Sequence, residues 1–429
     1  MLSVSTALAR LQDGLGESFP DSPGTRIIDI AFPLNDAFDP LLWCGQQAQW
    51  PQFYWQQRNG DEELATLGAV KTFPSLDAAN RFLRQTGRQN LRIGGLNAFE
   101  PQQGSLVLPR LEWRRCGGRA VLRLVLHSDI SLREDAATAR AFLASLTTTQ
   151  ATPGAIPPLL SERHSSDYSQ WQAMIARATK AISAGEMDKV VLARATDLQF
   201  AAPLDAVSIM AASRRSNLNC FHFLMAFNAR QAFFGSTPER LWRRRGALLR
   251  TEALAGTVAN HQEDAKAQQL ADWLMKDDKN QRENMLVVED ICQRLQSEAS
   301  ALDVLPPQVV RLRKVQHLRR CIWTELAAPD DSRCLLQLQP TAAVAGLPRR
   351  AALAFIQRHE PFAREWYAGS AGYLSLAQSE FCVALRSAKV DHDTLRLYAG
   401  AGIVSGSDAQ QEWQEIDNKA AGLRSLLCP

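Results

Sequence analysis

The sequence has eight cysteines, at positions 44, 116, 220, 292, 321, 334, 382 and 428, but no C-x-x-C pair and no Cys/His spacing typical of a zinc knuckle. Structural zinc and a disulfide framework are therefore not expected, and the cysteines read as reduced, mostly buried cytosolic thiols. No run approaches the roughly 18 apolar residues that a membrane helix needs, and the first residues have neither a basic segment nor a long apolar core. They read instead as the opening turns of an amphipathic helix. Charge of one sign is also missing. With 48 basic and 45 acidic residues the formal charge is +3, which gives no global attraction to nucleic acid or to an anionic membrane. No period of 20–50 residues repeats.

The 429 residues are 46% hydrophobic and 22% charged, with 20 prolines, which is ordinary globular material for one large domain or two closely packed ones. Up to about residue 150 the chain alternates apolar and polar residues between Gly, Pro and Asn turns, as in 26–32 and 120–127, with one helical stretch over 75–86. Residues 147–158 are polar, Pro/Gly-punctuated and aperiodic, which marks a boundary after a strand-rich region 1–155. Beyond it the pattern predicts helices over 171–184, 204–214, 263–273, 281–295, 349–359 and 412–427. Strands are predicted over 190–195, 220–227, 232–235, 371–375, 380–388 and 394–399. Strands that follow one another through short turns favour antiparallel pairing, hence an α+β fold over a doubly wound parallel sheet.

Charged groups that interrupt apolar segments mark candidate chemistry. Lys189 opens the apolar run Val190-Val191-Leu192-Ala193. It reads either as a solvated lysine or, if held neutral by burial or neighbouring cations, as a base. Glu239 follows the broken strand Phe233-Phe234-Gly235-Ser236-Thr237-Pro238. It is either half of a surface pair with Arg240 or a carboxyl raised for general-acid work. Arg243-Arg244-Arg245 reads as a solvated face. Glu283 lies one turn before Leu286 and Val287, on the side they bury, and Glu412 and Glu415 share a face of the last helix, where Asp408 is a candidate N-cap. Glu415 with Lys419 is either a plain i, i+4 pair or part of a carboxylate set for a hard cation such as Mg²⁺. The segments 253–257 and 398–404 read as glycine-bearing loops suited to an anion. Arg386, placed in an apolar strand, is expected to have a carboxylate partner.

In this order, Asp188-Lys189-Val190-Val191-Leu192-Ala193-Arg194, Gly235-Ser236-Thr237-Pro238-Glu239-Arg240-Leu241, Ala255-Gly256-Thr257, Tyr367-Ala368-Gly369-Ser370-Ala371-Gly372-Tyr373, Leu385-Arg386-Ser387-Ala388, Ala399-Gly400-Ala401-Gly402-Ile403-Val404 and Glu412-Trp413-Gln414-Glu415-Ile416-Asp417-Asn418-Lys419 resemble the chorismate-utilising enzymes. This family includes anthranilate, aminodeoxychorismate, salicylate and isochorismate synthases. The resemblance makes residues 165–429 the chorismate-binding catalytic region and implies a large antiparallel-sheet sandwich with helices packed outside. Tyr54-Trp55-Gln56-Gln57-Arg58-Asn59-Gly60 and Arg110-Leu111-Glu112-Trp113-Arg114-Arg115 extend it towards the menaquinone-pathway isochorismate synthase branch.

What the resemblance implies is Mg²⁺-dependent addition of water at C2 of chorismate with loss of the C4 hydroxyl. Lys189 would be the base and Glu239 the acid. Glu283, Glu415 and, through water, Glu412 would hold the metal. Arg386, assisted by Gly256, Thr257, Tyr367, Gly402 and Lys419, would hold the substrate. Lysine at 189 argues against amination, for which relatives carry glutamine, and Ala255 stands where aminodeoxychorismate synthases carry a nucleophilic lysine. The alternatives are a salicylate synthase, which goes on to eliminate pyruvate, and a siderophore-pathway isochorismate synthase. Gln339-Pro340-Thr341 departs from the family's His-Pro-Thr, which is read as a changed polar contact near the ring. A cytoplasmic enzyme with no nucleic acid, no membrane and no obligatory glutamine amidotransferase subunit is expected.

Overall fold

The computed structural model describes residues 4–34 and 37–427, apart from the side chains of residues 116 and 300. Cys116 and Cys428 thus fall outside the description, and the other six cysteines are free, with Cys44, Cys220, Cys334 and Cys382 buried. Among the described residues, 20 strands join in one hydrogen-bonded system, and each pairing is antiparallel, for example Gln52–Gln56 on Phe221–Ala226 and Lys189–Phe200 on Thr394–Ile403. The expected α+β class with an antiparallel sheet is what forms. No helix among the described residues is long and apolar enough to cross a membrane.

Strand periodicity explains how the sheet is covered. In Gln52–Gln56, Phe53 and Trp55 enter one buried cluster while Tyr54 enters another. Phe233 and Phe234 divide in the same way. Successive side chains point to opposite faces, so both faces here are packed and each strand reads as continuously apolar. Each cluster draws from both ends of the chain: Phe53 meets Phe223 and Phe381 in the first, and Leu122 meets Leu198 and Phe234 in the second. Truncating one such aromatic to alanine costs about 3–5 kcal/mol.

The helices begin where short polar side chains can accept orphan N–H groups. Ser75 caps Leu76–Thr86, which ends at left-handed Gly87, and Asp167 with Gln170 forms a capping box on Tyr168–Ser183. Asp408 accepts from the N–H groups of Gln410 and Gln411 at 3.1 and 3.0 Å, starting Ala409–Leu427 as expected. Helix Asp278–Leu295 is fixed to the sheet by Asn284, which is fully buried. Its amide donates towards the carbonyls of Ala253, Ala255 and Leu318 at 3.3, 3.0 and 3.1 Å. That anchor immediately follows Glu283 and sets where its carboxylate can reach.

Three local readings are corrected. The segments 253–257 and 398–404 are not loops: they lie in strands Leu248–Ala259 and Thr394–Ile403, except for residue 404. The glycines serve close approach and a register shift between Leu254 and Thr257, where Gly256 has φ +86°. The single strand expected over 380–388 is two, Gln378–Val383 and Ser387–Asp391, with Arg386 in the break at φ +48°. Arg243-Arg244-Arg245 is not a solvated face. Arg244 is buried on Asp331 at 2.7 Å, Arg243 pairs with Glu62 at 2.8 Å, and only Arg245 is largely exposed.

Candidate active site

A cavity of about 560 Å³ opens where the strands Lys189–Phe200, Leu248–Ala259 and Thr394–Ile403 meet helices Asp278–Leu295 and Ala409–Leu427. Lys189, Glu239, Gly256, Thr257, Glu283, Tyr367, Arg386, Gly402, Glu412, Glu415 and Lys419, the candidate residues of the sequence, all line it.

Lys189 is 1% exposed, which removes the solvated reading. Its Nζ donates to Glu283 Oε1 at 2.9 Å, so its near neighbour is a carboxylate rather than a second cation. Val191 is paired with Gly402 across the sheet, and a Cβ on Gly402 would stand 3.0 Å from Lys189 Cε and 3.4 Å from Nζ. Glycine is needed there so that the lysine can lie flat between strand and helix. Burial pushes the Glu283 carboxyl up, but Lys189, Lys419 and Lys279 together outweigh it and hold the group below the usual carboxylate range.

Glu239 is 3% exposed, and it is not a surface partner of Arg240, whose Nε goes to Glu380 at 2.9 Å. Burial first, and then the charge of Glu252, push its carboxyl up to about 8 against the pull of Lys189, Lys419 and Arg386. The group is therefore protonated at neutrality, as a general acid must be.

The expected carboxylate partner of Arg386 is not found among the described residues. Its Nη2 donates to His317 Nε2 at 2.8 Å. An arginine can only donate, so Nε2 accepts and the proton sits on Nδ1, which lies 3.0 Å from Thr257 Oγ1. Burial, then Arg386 and Lys419, lower the His317 pKa well below the ordinary histidine value, which keeps the ring neutral. His317 lines the cavity and was missed. The break in the strand turns the guanidinium inward, and a regular strand would carry residue 386 in a different direction. The N–H of Thr257 is engaged by Asn280 Oδ1 at 3.0 Å. Tyr367 stacks on Tyr398 with centroids 5.1 Å apart, and burial pushes its hydroxyl up to about 12, leaving it a donor. Gln339 is not a cavity residue. It is 1% exposed and donates to the carbonyl of Ala98, so the departure from His-Pro-Thr places no side chain against the cavity.

Lys419 Nζ bridges Glu415 Oε1 at 2.7 Å and the carbonyl of Gly400 at 3.0 Å. Burial, then the neighbouring Glu415 charge, push the Glu412 carboxyl up. Among the described residues, no three His, Cys, Asp or Glu side chains are gathered tightly enough to ligate one ion as they stand. The donor chemistry still fits a hard cation: Glu283, Glu412 and Glu415 bring only carboxylate oxygens to one cavity, and Glu412 and Glu415 repel each other there.

The family model described as "Chorismate binding enzyme" matches residues 95–428. The chain belongs to this family. It is 66% identical over 428 residues to isochorismate synthase MenF of Escherichia coli, covering 100% of this chain and 99% of that one. It is 40% identical over 393 residues to MenF of Haemophilus influenzae, covering 91% and 90%. A solved structure of the menaquinone-specific isochorismate synthase from Escherichia coli superposes with a TM-score of 0.97 at 66% identity, covering 99% of this chain and 100% of that one. Anthranilate synthase component I from Streptococcus pneumoniae gives a TM-score of 0.64 at 19% identity, covering 98% and 97%, and shows the shared fold alone.

Proposed function

We propose that the protein is an isochorismate synthase that converts chorismate to isochorismate for menaquinone synthesis. The observation that carries the mechanism is a carboxyl protonated at neutrality, Glu239, lining the same cavity as a buried lysine, Lys189. Lys189, reacting as the free amine, takes a proton from the water whose oxygen bonds to C2. Both conjugated ring double bonds shift, C1=C2 to C1=C6 and C5=C6 to C4=C5, and the C4 oxygen departs as water with the proton of Glu239. One water enters and one leaves, and the proton passes back from lysine to glutamate between turnovers. Ala255 lines the cavity without a nucleophile, so C2 is left to water.

Glu283 and Glu415, with Glu412 through water, would hold Mg²⁺, which when bound supplies positive charge to the ring carboxylate of the substrate. Arg386 would take the enolpyruvyl carboxylate, with its guanidinium oriented by His317. Tyr367 and Lys419 complete the polar lining. Because the nucleophile is water, no amidotransferase subunit is needed, and we place the reaction in the cytoplasm.

The test is product analysis. Purified protein with chorismate and Mg²⁺ yields isochorismate with little pyruvate, and pyruvate released in step with chorismate loss would make it a salicylate synthase.

A further inference from the structure

The backbone on either side of Glu239 is tied down by one ion pair whose members are separated by 194 positions in sequence. Arg58 lies in the turn between strands Gln52–Gln56 and Glu62–Phe73. Its Nη1 donates to the carbonyl of Pro238 at 2.8 Å and to Glu252 Oε1 at 2.6 Å, and its Nη2 to Glu252 Oε2 at 2.8 Å. Glu252 Oε1 also accepts the backbone N–H of Arg240 at 2.7 Å. The carbonyl before Glu239 and the N–H after it are therefore held by opposite ends of the same salt bridge. The side chain of Glu252 is 0% exposed and that of Arg58 14%. The guanidinium also lies 5.4 Å from the centroid of the Phe221 ring. Neither Arg58 nor Glu252 lines the cavity.

A buried ion pair is a poor source of stability, because the loss of hydration offsets most of the attraction. This pair holds the two peptide units from which the acid projects, and it holds a negative charge beside the acid. We propose that Arg58 and Glu252 are a positioning pair for Glu239, fixing its backbone and keeping a like charge next to its carboxyl. The proposal rests on Glu239 being the general acid.

The electrostatic side agrees with the geometry. Burial raises the Glu252 carboxyl, but Arg58 and Arg240 outweigh it and keep Glu252 ionised. The charged groups facing Glu239 are then Glu252, Lys189, Lys419 and Arg386, and of these Glu252 alone raises its carboxyl while the three cations lower it. His317, beside Arg386, is neutral. Delivery of a proton in the transition state is sensitive to placement, and an error of about 1 Å can cost about 100-fold.

The experiment follows kcat and KM against pH for two conservative variants. Glu252→Gln keeps the shape and the acceptor oxygen but loses the charge. The basic limb of its kcat profile, where Glu239 gives up its proton, should move about one unit to lower pH. Arg58→Lys cannot span the Pro238 carbonyl and both carboxylate oxygens, because an ammonium lacks the planar fork. Its kcat should fall about 10- to 100-fold with KM within about threefold, since the loss falls on the transition state. A basic limb in Glu252→Gln that stays at the parental pH overturns the proposal, as does a loss in Arg58→Lys carried by KM. If Arg58→Lys does not fold, as read by circular dichroism, Glu252→Gln decides alone. Glu239→Gln separates the two levels. If it keeps full turnover, the general-acid reading falls. If it is inactive while both pair variants match the parent, only the positioning pair falls.

Discussion

Replacing Glu239 by glutamine should move activity and stability in opposite directions. On activity, removing a general acid costs about 100- to 10,000-fold, which is about 3–5 kcal/mol of barrier. On stability, the carboxyl is raised from 4.5 to about 8 in the folded chain, first by burial and then by Glu252. Below pH 4.5 it is protonated whether the chain is folded or not, and it carries no penalty. As pH rises from there, the unfolded chain releases the proton while the folded chain must keep it, so stability is lost until the folded group also ionises near 8. Each pH unit is worth about 1.4 kcal/mol. Across the roughly 2.5 units up to neutrality the deficit is on the order of 3 kcal/mol, and it levels off above pH 8. Glutamine has no such titration. Urea unfolding of parent and variant at pH 5, 7 and 8.5, beside chromatographic assay of isochorismate, should show a stability advantage of Glu239→Gln that widens with pH while turnover collapses. A difference in stability that does not change with pH would refute the buried protonated acid, and turnover within tenfold of the parent would refute its role.

Lys189→Ala should abolish turnover, and Lys189→Arg should not restore it, because a guanidinium does not give up its proton; near-normal isochorismate formation by either would remove Lys189 from the mechanism. Glu283→Ala and Glu415→Ala should each weaken Mg²⁺ binding by calorimetry and leave activity that added metal rescues poorly, whereas an unchanged binding isotherm would mean that they are not ligands. Gly402→Ala sets a Cβ 3.0 Å from Lys189 Cε within a regular strand pairing. It should lower kcat about 10- to 100-fold by moving the base while the circular dichroism spectrum is kept, and a parental kcat would show that the lysine has room to give.

Legibility in the sequence followed the distance over which a residue's meaning is set. Lys189 and Glu239 stand out because each adjoins an apolar run that a charge should not interrupt, and both prove buried. The segments 253–257 and 398–404 were misread because their alanines and glycines dilute the β-branched signal of a strand, although pairing to Val315–Leu326 and Lys189–Phe200 makes them strands. Arg244 was within reach of period-two reasoning. It lies two residues after Trp242, and Trp242 Nε1 and Arg244 Nε both donate to Asp331 Oδ1, at 3.2 and 3.0 Å, so one face of the strand is buried. His317 against Arg386, and Arg58 against Glu252, have no local signal, since 69 and 194 positions separate the partners.

The pairing of charges in the cavity bears on why a chain with so many basic groups would call for a metal at all. Chorismate brings two carboxylates. Lys189 Nζ already donates to Glu283, and Lys419 Nζ to Glu415, so neither amine is left free to meet an incoming carboxylate. Arg386 differs, because its bond is to a neutral imidazole, and its charge is left for an incoming anion. One carboxylate can be met by Arg386. The second would face a wall carrying Glu283, Glu412 and Glu415, where Glu412 is already pushed up by burial and by Glu415. An unscreened carboxylate there meets like charge in a poorly hydrated site, which is costly. A divalent cation held by those glutamates would supply positive charge to that carboxylate in place of repulsion, and would leave Lys189 and Glu239 for the proton transfers proposed above.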